Sequence, residues 1–461
     1  MTAVRAFGTP LQDVDRLIDA LPLGRMQWTV FALCALVVFL EGYDLQALAL
    51  AVPFVAKEWG IAPPSFSLAL SASLIGQGIG GALLAPLGDR FGRKPLLVSA
   101  LLAMGLGTLA TLLVPSPAWI AGWRFVTGLG FGIAGVNSTA LTAEYAPARR
   151  RFLIMTLMNC NVPGGAFVAA FTAPALILDH GWRAVFVIGG VAPLAFAIAF
   201  ALYSPESLKW LLARPTDARR VGRLARRLLP GIDPADLIST ARPTPRRRSI
   251  LALLVPEYRI RTLVIWLAAA SGAFVLYGLS SWLPTLLRLR GWDVGAALRG
   301  AAAIQLGGLA GSLLMAWAVD RGRLAPALLT GYAVSTVGLL SVALAPGSVA
   351  TGTLLFVLIG SGVAGMQAVW MAIAVALFPI DLRATSAGWL SLMSRTGAIA
   401  APFAGGAALA ADLGMGSMML ALLAPIALSG TALALSRRHF VAGAAAVRAA
   451  ARHGNPLPIE G

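Results

Sequence analysis

Residues 28–52 read WTVFALCALVVFLEGYDLQALALAV, an apolar run with two carboxylates, Glu41 and Asp44, near its middle. A helix rises about 1.5 Å per residue and needs about 20 apolar residues to cross the hydrocarbon of a bilayer, so this run predicts a membrane span. An ionised acid inside such a span costs several kcal/mol unless it is paired or protonated, and charges kept there mark ion or substrate paths. Arg124 and Arg395 stand in the same situation, each deep in a long apolar run. Two acids and two arginines therefore carry most of the functional signal.

The composition extends this reading to the whole chain. Of its 461 residues, 58% are apolar and only 12% charged, which lies outside the range of soluble globular domains. Twelve apolar segments follow one another near 27–52, 66–87, 95–114, 118–143, 152–177, 183–203, 262–287, 294–319, 325–345, 351–378, 384–410 and 415–435. The expected fold class is an all-α membrane protein of twelve transmembrane helices in two six-helix halves. The expected division is an N-terminal tail (1–26), a first six-helix bundle (27–203), a basic linker (204–261), a second bundle (262–436) and a C-terminal tail (437–461). The N-terminus lacks the basic-then-apolar pattern of a removable signal peptide, so the first span is expected to stay uncleaved.

The net charge of +17 would suggest nucleic acid in a soluble chain. Here the charge follows topology: with both ends on one side, that side holds 29 of the Lys and Arg residues and the opposite side 5. The excess of basic residues on the inner side predicts both termini in the cytoplasm and the protein in the inner membrane, with no nucleic acid as partner. The stretch 218–229, ARRVGRLARRLL, predicts an amphipathic helix at the inner membrane surface, and Arg246, Arg247 and Arg248 belong to the same basic linker.

The two halves echo one another, as in transporters built from internal repeats. GDRFGRK (Gly88, Asp89, Arg90, Gly92, Arg93 and Lys94 among its residues) follows the second segment; VDRGR follows the eighth, with Asp320 lying 231 residues beyond Asp89 and Arg321 next to it. AEYAPARRR, with Glu144 and Arg150, follows the fourth segment; FPIDLRATSAG, with Arg383, follows the tenth, and Arg383 lies 232 residues beyond Arg151.

On these motifs the chain resembles the major facilitator superfamily over essentially its full length. GDRFGRK resembles the superfamily's loop signature, SPESLKWLL (204–212) the PES element of its organic-ion and sugar branches, and EGYDLQ (41–46) the first-helix signature of the aromatic acid:proton symporters. That signature is usually written with aspartate first. Glu41 departs from it and resembles the branch that imports 3-hydroxyphenylpropionate, set beside the hydroxybenzoate branch. The resemblance implies import of an aromatic carboxylate by a monomer, with protons and the lipid bilayer as its other partners. It also implies a cytoplasmic latch built from the loop residues, so that Asp89→Ala slows turnover more than it weakens binding.

Depth arithmetic brings the four charges together. At about 1.5 Å per residue, Asp44 lies roughly 12 Å and Arg124 roughly 9 Å from the outer ends of their helices, Glu41 is one turn deeper than Asp44, and Arg395 is roughly 16 Å from its inner end. A proton-coupled importer of organic anions needs one group that gains and loses a proton and one that holds an anion without losing its charge. An acid suits the first task and arginine, with its planar fork, the second. His180, His439 and His453 all lie in loops or the tail, which leaves Glu41 or Asp44 for the proton. Arg124 is expected to tune the acids and Arg395 to bind the substrate carboxylate; a permanent Asp44–Arg124 ion pair is the bland alternative. Tyr43, Asn137, Trp389 and Gln305 are the further candidates for the substrate cavity.

No cofactor is expected; the proton gradient is the energy source. Gly130, Gly132 and Gly135 spell GxGxxG, but inside a membrane helix this pattern predicts close helix packing instead of a dinucleotide site. No metal cluster, nucleophile triad or phosphate loop is present in the sequence, so no enzyme is expected. Cys34 and Cys160 read as small buried side chains. Two rival functions share the fold: a proton-coupled exporter of drugs or metabolites, and a sensor that binds without transport.

Overall fold

The computed structural model describes residues 12–20, 22–113, 116–213, 218–229, 232, 237–238, 249–344, 348–378 and 380–436. Long apolar helices dominate because a chain in hydrocarbon must satisfy its backbone polar groups internally. In chain order they are α1 (Arg25–Trp59), α2 (Pro63–Leu84), α3 (Arg93–Leu113), α4 (Pro117–Tyr145), α5 (Ala148–His180) and α6 (Arg183–Tyr203). After the linker come α7 (Pro256–Leu289), α8 (Val294–Asp320), α9 (Leu324–Leu344), α10 (Val349–Ala376), α11 (Ile380–Ala410) and α12 (Met415–Leu435). Among the described residues 11 helices are long and apolar enough to cross a membrane. The remaining long helix is α11, 31 residues with Arg395 inside it. Exposed Leu83, Leu106, Phe171, Ile198 and Leu314 lie on outer faces, where lipid tails are the solvent.

Glycines set how closely the first half packs. A Cβ at Gly76 or Gly80 of α2 would run into the carbonyls of Phe125 or Leu129, and one at Gly128 or Gly132 of α4 into those of Ser73 or Gln77. The backbones of α2 and α4 therefore touch, as small residues allow in membrane helices. The GxGxxG stretch is split between neighbours: Gly132 faces α2, while a Cβ at Gly130 would lie 2.8 Å from the Ala100 carbonyl of α3. At Gly80–Leu84 the end of α2 widens into a π turn.

The arrangement of the core tells which end of the molecule is closed. At the end opposite the basic loops, one continuous apolar cluster joins the halves, running from Leu48, Val52, Phe66 and Phe186 to Leu279, Trp282, Leu286 and Met419. There Leu298, Ala301 and Ala302 of α8 also pack on Ala169, Ala170 and Ala173 of α5. At the basic end the core is divided: one cluster, with Val30, Leu97, Phe131 and Phe200, belongs to the first half, and another, with Ile265, Trp370, Ile373 and Leu390, to the second. The molecule is thus sealed at the far end and parted at the basic end. Trp282 is fully buried in the seal, where its indole N–H donates to the Pro402 carbonyl at 3.0 Å.

The arginine-rich stretch does form a helix, Ala218–Leu228, but its apolar side does not rest on lipid. Ala225 and Leu229 are buried with Val14 and Ile18 of a short helix, Val14–Ala20, and with Leu208. The linker and the N-terminal segment therefore cover each other, tied by a Lys209–Asp15 ion pair and by a two-residue parallel pairing of Gln12–Asp13 with Leu237–Ile238. Arg246, Arg247, Arg248, His439 and His453 lie outside the described residues. Cys34 and Cys160 are both free thiols.

Candidate functional site

The four intramembrane charges fall into two very different environments. Asp44 and Arg124 form a salt bridge, Nη1 to Oδ2 at 2.6 Å, with both side chains only 1% exposed. The other Asp44 oxygen accepts from the Thr108 hydroxyl at 2.6 Å. Arg124 also donates to the Asp44 carbonyl at 3.1 Å and to the Ser73 hydroxyl at 2.9 Å. One network thereby ties α1, α2, α3 and α4 together and pairs both buried charges, which is the condition for a buried pair to hold without an uncompensated charge.

Glu41, one turn away, is held loosely. Its Oε1 accepts from the Gln77 amide of α2, and no other hydrogen bond to its carboxylate occurs among the described residues. Its Oε2 faces Gly135, where a Cβ would stand 3.7 Å away. Glu41 is 6% exposed.

Gln77 also lines a cavity of about 230 Å³ between the halves, together with Leu74, Tyr277, Gln367, Trp370, Ser394 and Arg395. Both halves contribute to its wall. Arg395 lies within electrostatic reach of Glu41 and Tyr277, and its stem passes Gly78 of α2, where a Cβ would be 3.8 Å from its Cδ. No carboxylate comes within 4.0 Å of its guanidinium among the described residues. The cavity thus holds an unpaired guanidinium beside a singly bonded acid. A cavity of about 150 Å³ already admits benzene, so this one has room for a single ring with a carboxylate.

Of the other residues expected at the cavity, the structure places each elsewhere. Tyr43 points into the first half, among Ala169, Ala170, Ile177 and Val185, and a Cβ at Gly189 would lie 3.3 Å from its ring. Asn137 sits at the basic end, donating to the Ala85 carbonyl at 3.2 Å and accepting from Arg93 at 3.3 Å. Trp389 stacks at a tilt on Trp266, ring centroids 5.8 Å apart, in the core of the second half. Gln305 belongs to the far-end seal, where its amide donates to the Gln46 side chain at 2.8 Å and to Ser280 at 3.3 Å. Ser71 adds another polar link between the halves at that end, donating to the Ile399 carbonyl at 3.0 Å.

The loop residues assemble around Arg93. Its guanidinium bridges Asp89 at 2.7 Å and Glu144 at 3.3 Å, while its backbone N–H and that of Lys94 donate to the Glu206 carboxylate at 2.9 and 3.3 Å. Gly92 turns the chain there at φ 105°, and a side chain at Gly92 would strike Glu206. A side chain at Gly88 would strike Asn137. Burial pushes the Glu206 carboxyl up from its ordinary value, against the three backbone N–H groups that favour its charge. Arg90 lies over Phe91 and Arg150 is exposed. The internal repeat survives in three dimensions: Arg151 donates to the Ala146 carbonyl at 3.0 Å and Arg383 to the Phe378 carbonyl at 3.2 Å, each five residues upstream. Arg321 covers the Trp317 ring at 4.0 Å, and the Asp320 side chain lies outside the described residues.

Gln77, Thr108, Ser73, Ser391 and Ser394 escaped the reading of the sequence. For Ser391, Ser394 and Arg395 a signal was present, since spacing i, i+3, i+4 puts them on one helix face. Gln77 was visible as an amide inside an apolar segment, but nothing in the sequence tied it to Glu41.

The sequence pattern of the Major Facilitator Superfamily matches residues 34–402. The chain is 34% identical to the 4-hydroxybenzoate transporter PcaK of Pseudomonas putida, over 90% of this chain and 94% of that protein. It is 32% identical to the 3-(3-hydroxy-phenyl)propionate transporter of Escherichia coli (strain K12), over 90% and 95%. Among solved structures, a bacterial homologue of the human lysosomal transporter Spinster, in an inward-facing and unoccupied conformation, superposes with a TM-score of 0.63 at 18% identity, covering 94% of this chain and 98% of that one.

Proposed function

Because the chain belongs to the Major Facilitator Superfamily, we propose that it is a secondary transporter that carries an aromatic carboxylate into the cell together with a proton. Its relatives are transporters of aromatic acids, and the chain is a transporter of that class and not an enzyme. The basic end is read as cytoplasmic, so the parted end opens inward and the sealed end faces outward.

The observation that carries the reading is the unpaired Arg395 in a cavity shared by both halves, next to Glu41. A guanidinium kept in low dielectric without a counter-ion is a site for an anion, and its fork fits a carboxylate. Glu41 supplies the coupling. Protonated, it leaves Arg395 to the substrate; once its proton departs to the cytoplasm, its charge competes for Arg395 and the substrate is released. The reverse order holds at the outer face, where loading of proton and anion removes the unpaired charges before the halves rock. Asp44, whose two oxygens are already engaged by Thr108 and Arg124, serves instead as the tie between helices.

The test is Glu41→Gln in proteoliposomes. Exchange of labelled 4-hydroxybenzoate against internal substrate should persist, while accumulation driven by an acidic exterior should vanish. Undiminished proton-driven accumulation refutes the role of Glu41, and loss of substrate on acidifying the exterior would point to export.

A further inference from the structure

We propose that Gln367 and Ser394 form a subsite for a ring hydroxyl, making the transporter selective for hydroxylated aromatic acids over unsubstituted ones; the inference rests on the aromatic-acid reading above. Both residues line the cavity that holds Arg395. The Gln367 amide nitrogen donates to the Ser394 hydroxyl oxygen at 2.6 Å and to the Ala269 carbonyl at 3.3 Å. A backbone carbonyl only accepts, which fixes the nitrogen on that side and the amide oxygen on the other. That oxygen is buried and has no hydrogen-bond partner. It lies over Gly272, where a Cβ would be 2.7 Å away, so the absent side chain is what gives it room.

Ser394 is left with the complementary half. Its oxygen accepts from Gln367, and no acceptor for its own hydrogen occurs among the described residues. The pair therefore offers one unused acceptor and one unused donor side by side. A phenolic hydroxyl is the mirror of this: it donates to the Gln367 oxygen and accepts from the Ser394 hydroxyl. Ser394 directly precedes Arg395 on α11, which places the subsite beside the carboxylate clamp. An acid without the hydroxyl would enclose both groups unpaired, and sites built in this way discriminate strongly against the analogue that lacks the hydrogen-bonding group.

The experiment is competition for labelled 4-hydroxybenzoate on the purified full-length protein by benzoate, 3-hydroxybenzoate and 4-hydroxybenzoate. The wild type should prefer at least one hydroxylated acid over benzoate by on the order of tenfold. Ser394→Ala and Gln367→Met should each reduce that preference to about twofold or less, with the affinity for benzoate falling far less than that for the hydroxylated acid; Ser394→Thr should restore the preference. A preference unchanged in both alanine and methionine variants, or an equal loss for all three acids, overturns the subsite. Should Gln367→Met fail to fold, Ser394→Ala against Ser394→Thr decides alone. No binding of any of the acids to the wild type would refute the aromatic-acid reading itself, an outcome distinct from binding without preference.

Discussion

Replacing Asp44 by Asn tests whether the buried ion pair is structural. The substitution keeps the shape of the side chain and an acceptor for the Thr108 hydroxyl, but it leaves the Arg124 guanidinium, 1% exposed, without its counter-charge. Only the Ser73 hydroxyl and the Asp44 carbonyl would still bond to it. Breaking a buried pair by removing one partner costs about 3–5 kcal/mol. At 1.36 kcal/mol per decade this is a change of roughly a hundredfold to several-thousandfold in the folding equilibrium constant. Thermal unfolding of the purified protein in one detergent would read it, with the rate of loss compared at a fixed temperature, because large membrane proteins unfold irreversibly. The double substitution Asp44→Asn with Arg124→Gln should recover most of the loss, since replacing both charges leaves no orphan. If Asp44→Asn is as stable as the wild type, the pair is not the tie described here. If the recovered double variant still accumulates substrate against a gradient, the proton does not travel on Asp44.

Three further outcomes follow from the same geometry. Arg395→Lys should raise KM for the aromatic acid by roughly tenfold to a hundredfold in uptake assays while the protein remains inserted, because an ammonium keeps the charge but loses the bidentate fork; an unchanged KM would remove Arg395 from the site. Gln305→Leu deletes the bond to Gln46 across the far-end seal and the bond to Ser280 within the second half, so a cysteine placed at Ser280 should react several times faster with an impermeant reagent added from outside, at about 1 kcal/mol per lost bond. An unaltered rate would mean that the apolar packing alone holds that end. For Glu206 the sign runs through burial: its carboxyl sits above the ordinary value in the folded state, so its contribution to stability is present at acid pH and is lost as pH rises through that elevated value. Thermal stability measured across this window should therefore slope downward with rising pH in the wild type and lose that slope in Glu206→Gln; identical profiles would show that its proton is not linked to folding.

The helices and the charges were readable in the sequence for the same reason: hydrocarbon is an unforgiving solvent, so a long apolar run and a lone charge inside it each have few explanations. The faces of those helices were not readable. In a soluble helix the polar side reports which way is out, whereas in lipid both sides are apolar and the 3.6-residue period carries little contrast. Tyr43 and Asn137 show the consequence, since one lies in the interior of the first half and the other beside Arg93 at the basic end. Gln305 shows another, because a polar side chain at the right depth serves a seal as well as it serves a ligand. The linker helix Ala218–Leu228 was predicted from its amphipathic pattern, but only tertiary structure could say that Val14, Ile18 and Leu208 cover its apolar side.

The spacing of three residues between Glu41 and Asp44 acquires a mechanical meaning from these contacts. A rocking transporter needs each half to move as a body and needs the cavity between them to change its charge state. Asp44 serves the first requirement, because its network with Arg124, Thr108 and Ser73 joins four helices of one half. The glycine contacts between α2 and α4 lie alongside and leave those backbones no slack. In the proposed coupling Glu41 serves the second, from a single bond to Gln77, a residue that itself borders the cavity. Any movement of α2 relative to Arg395 is therefore felt at the acid, and any change in the acid's charge is felt at Arg395. On the proposed reading, one turn of one helix separates a fixed charge that holds a half rigid from a titratable one that answers to the cavity's contents, and removing only the latter, as in Glu41→Asn with Asp44 intact, should leave a stable protein that binds substrate and no longer couples it to protons.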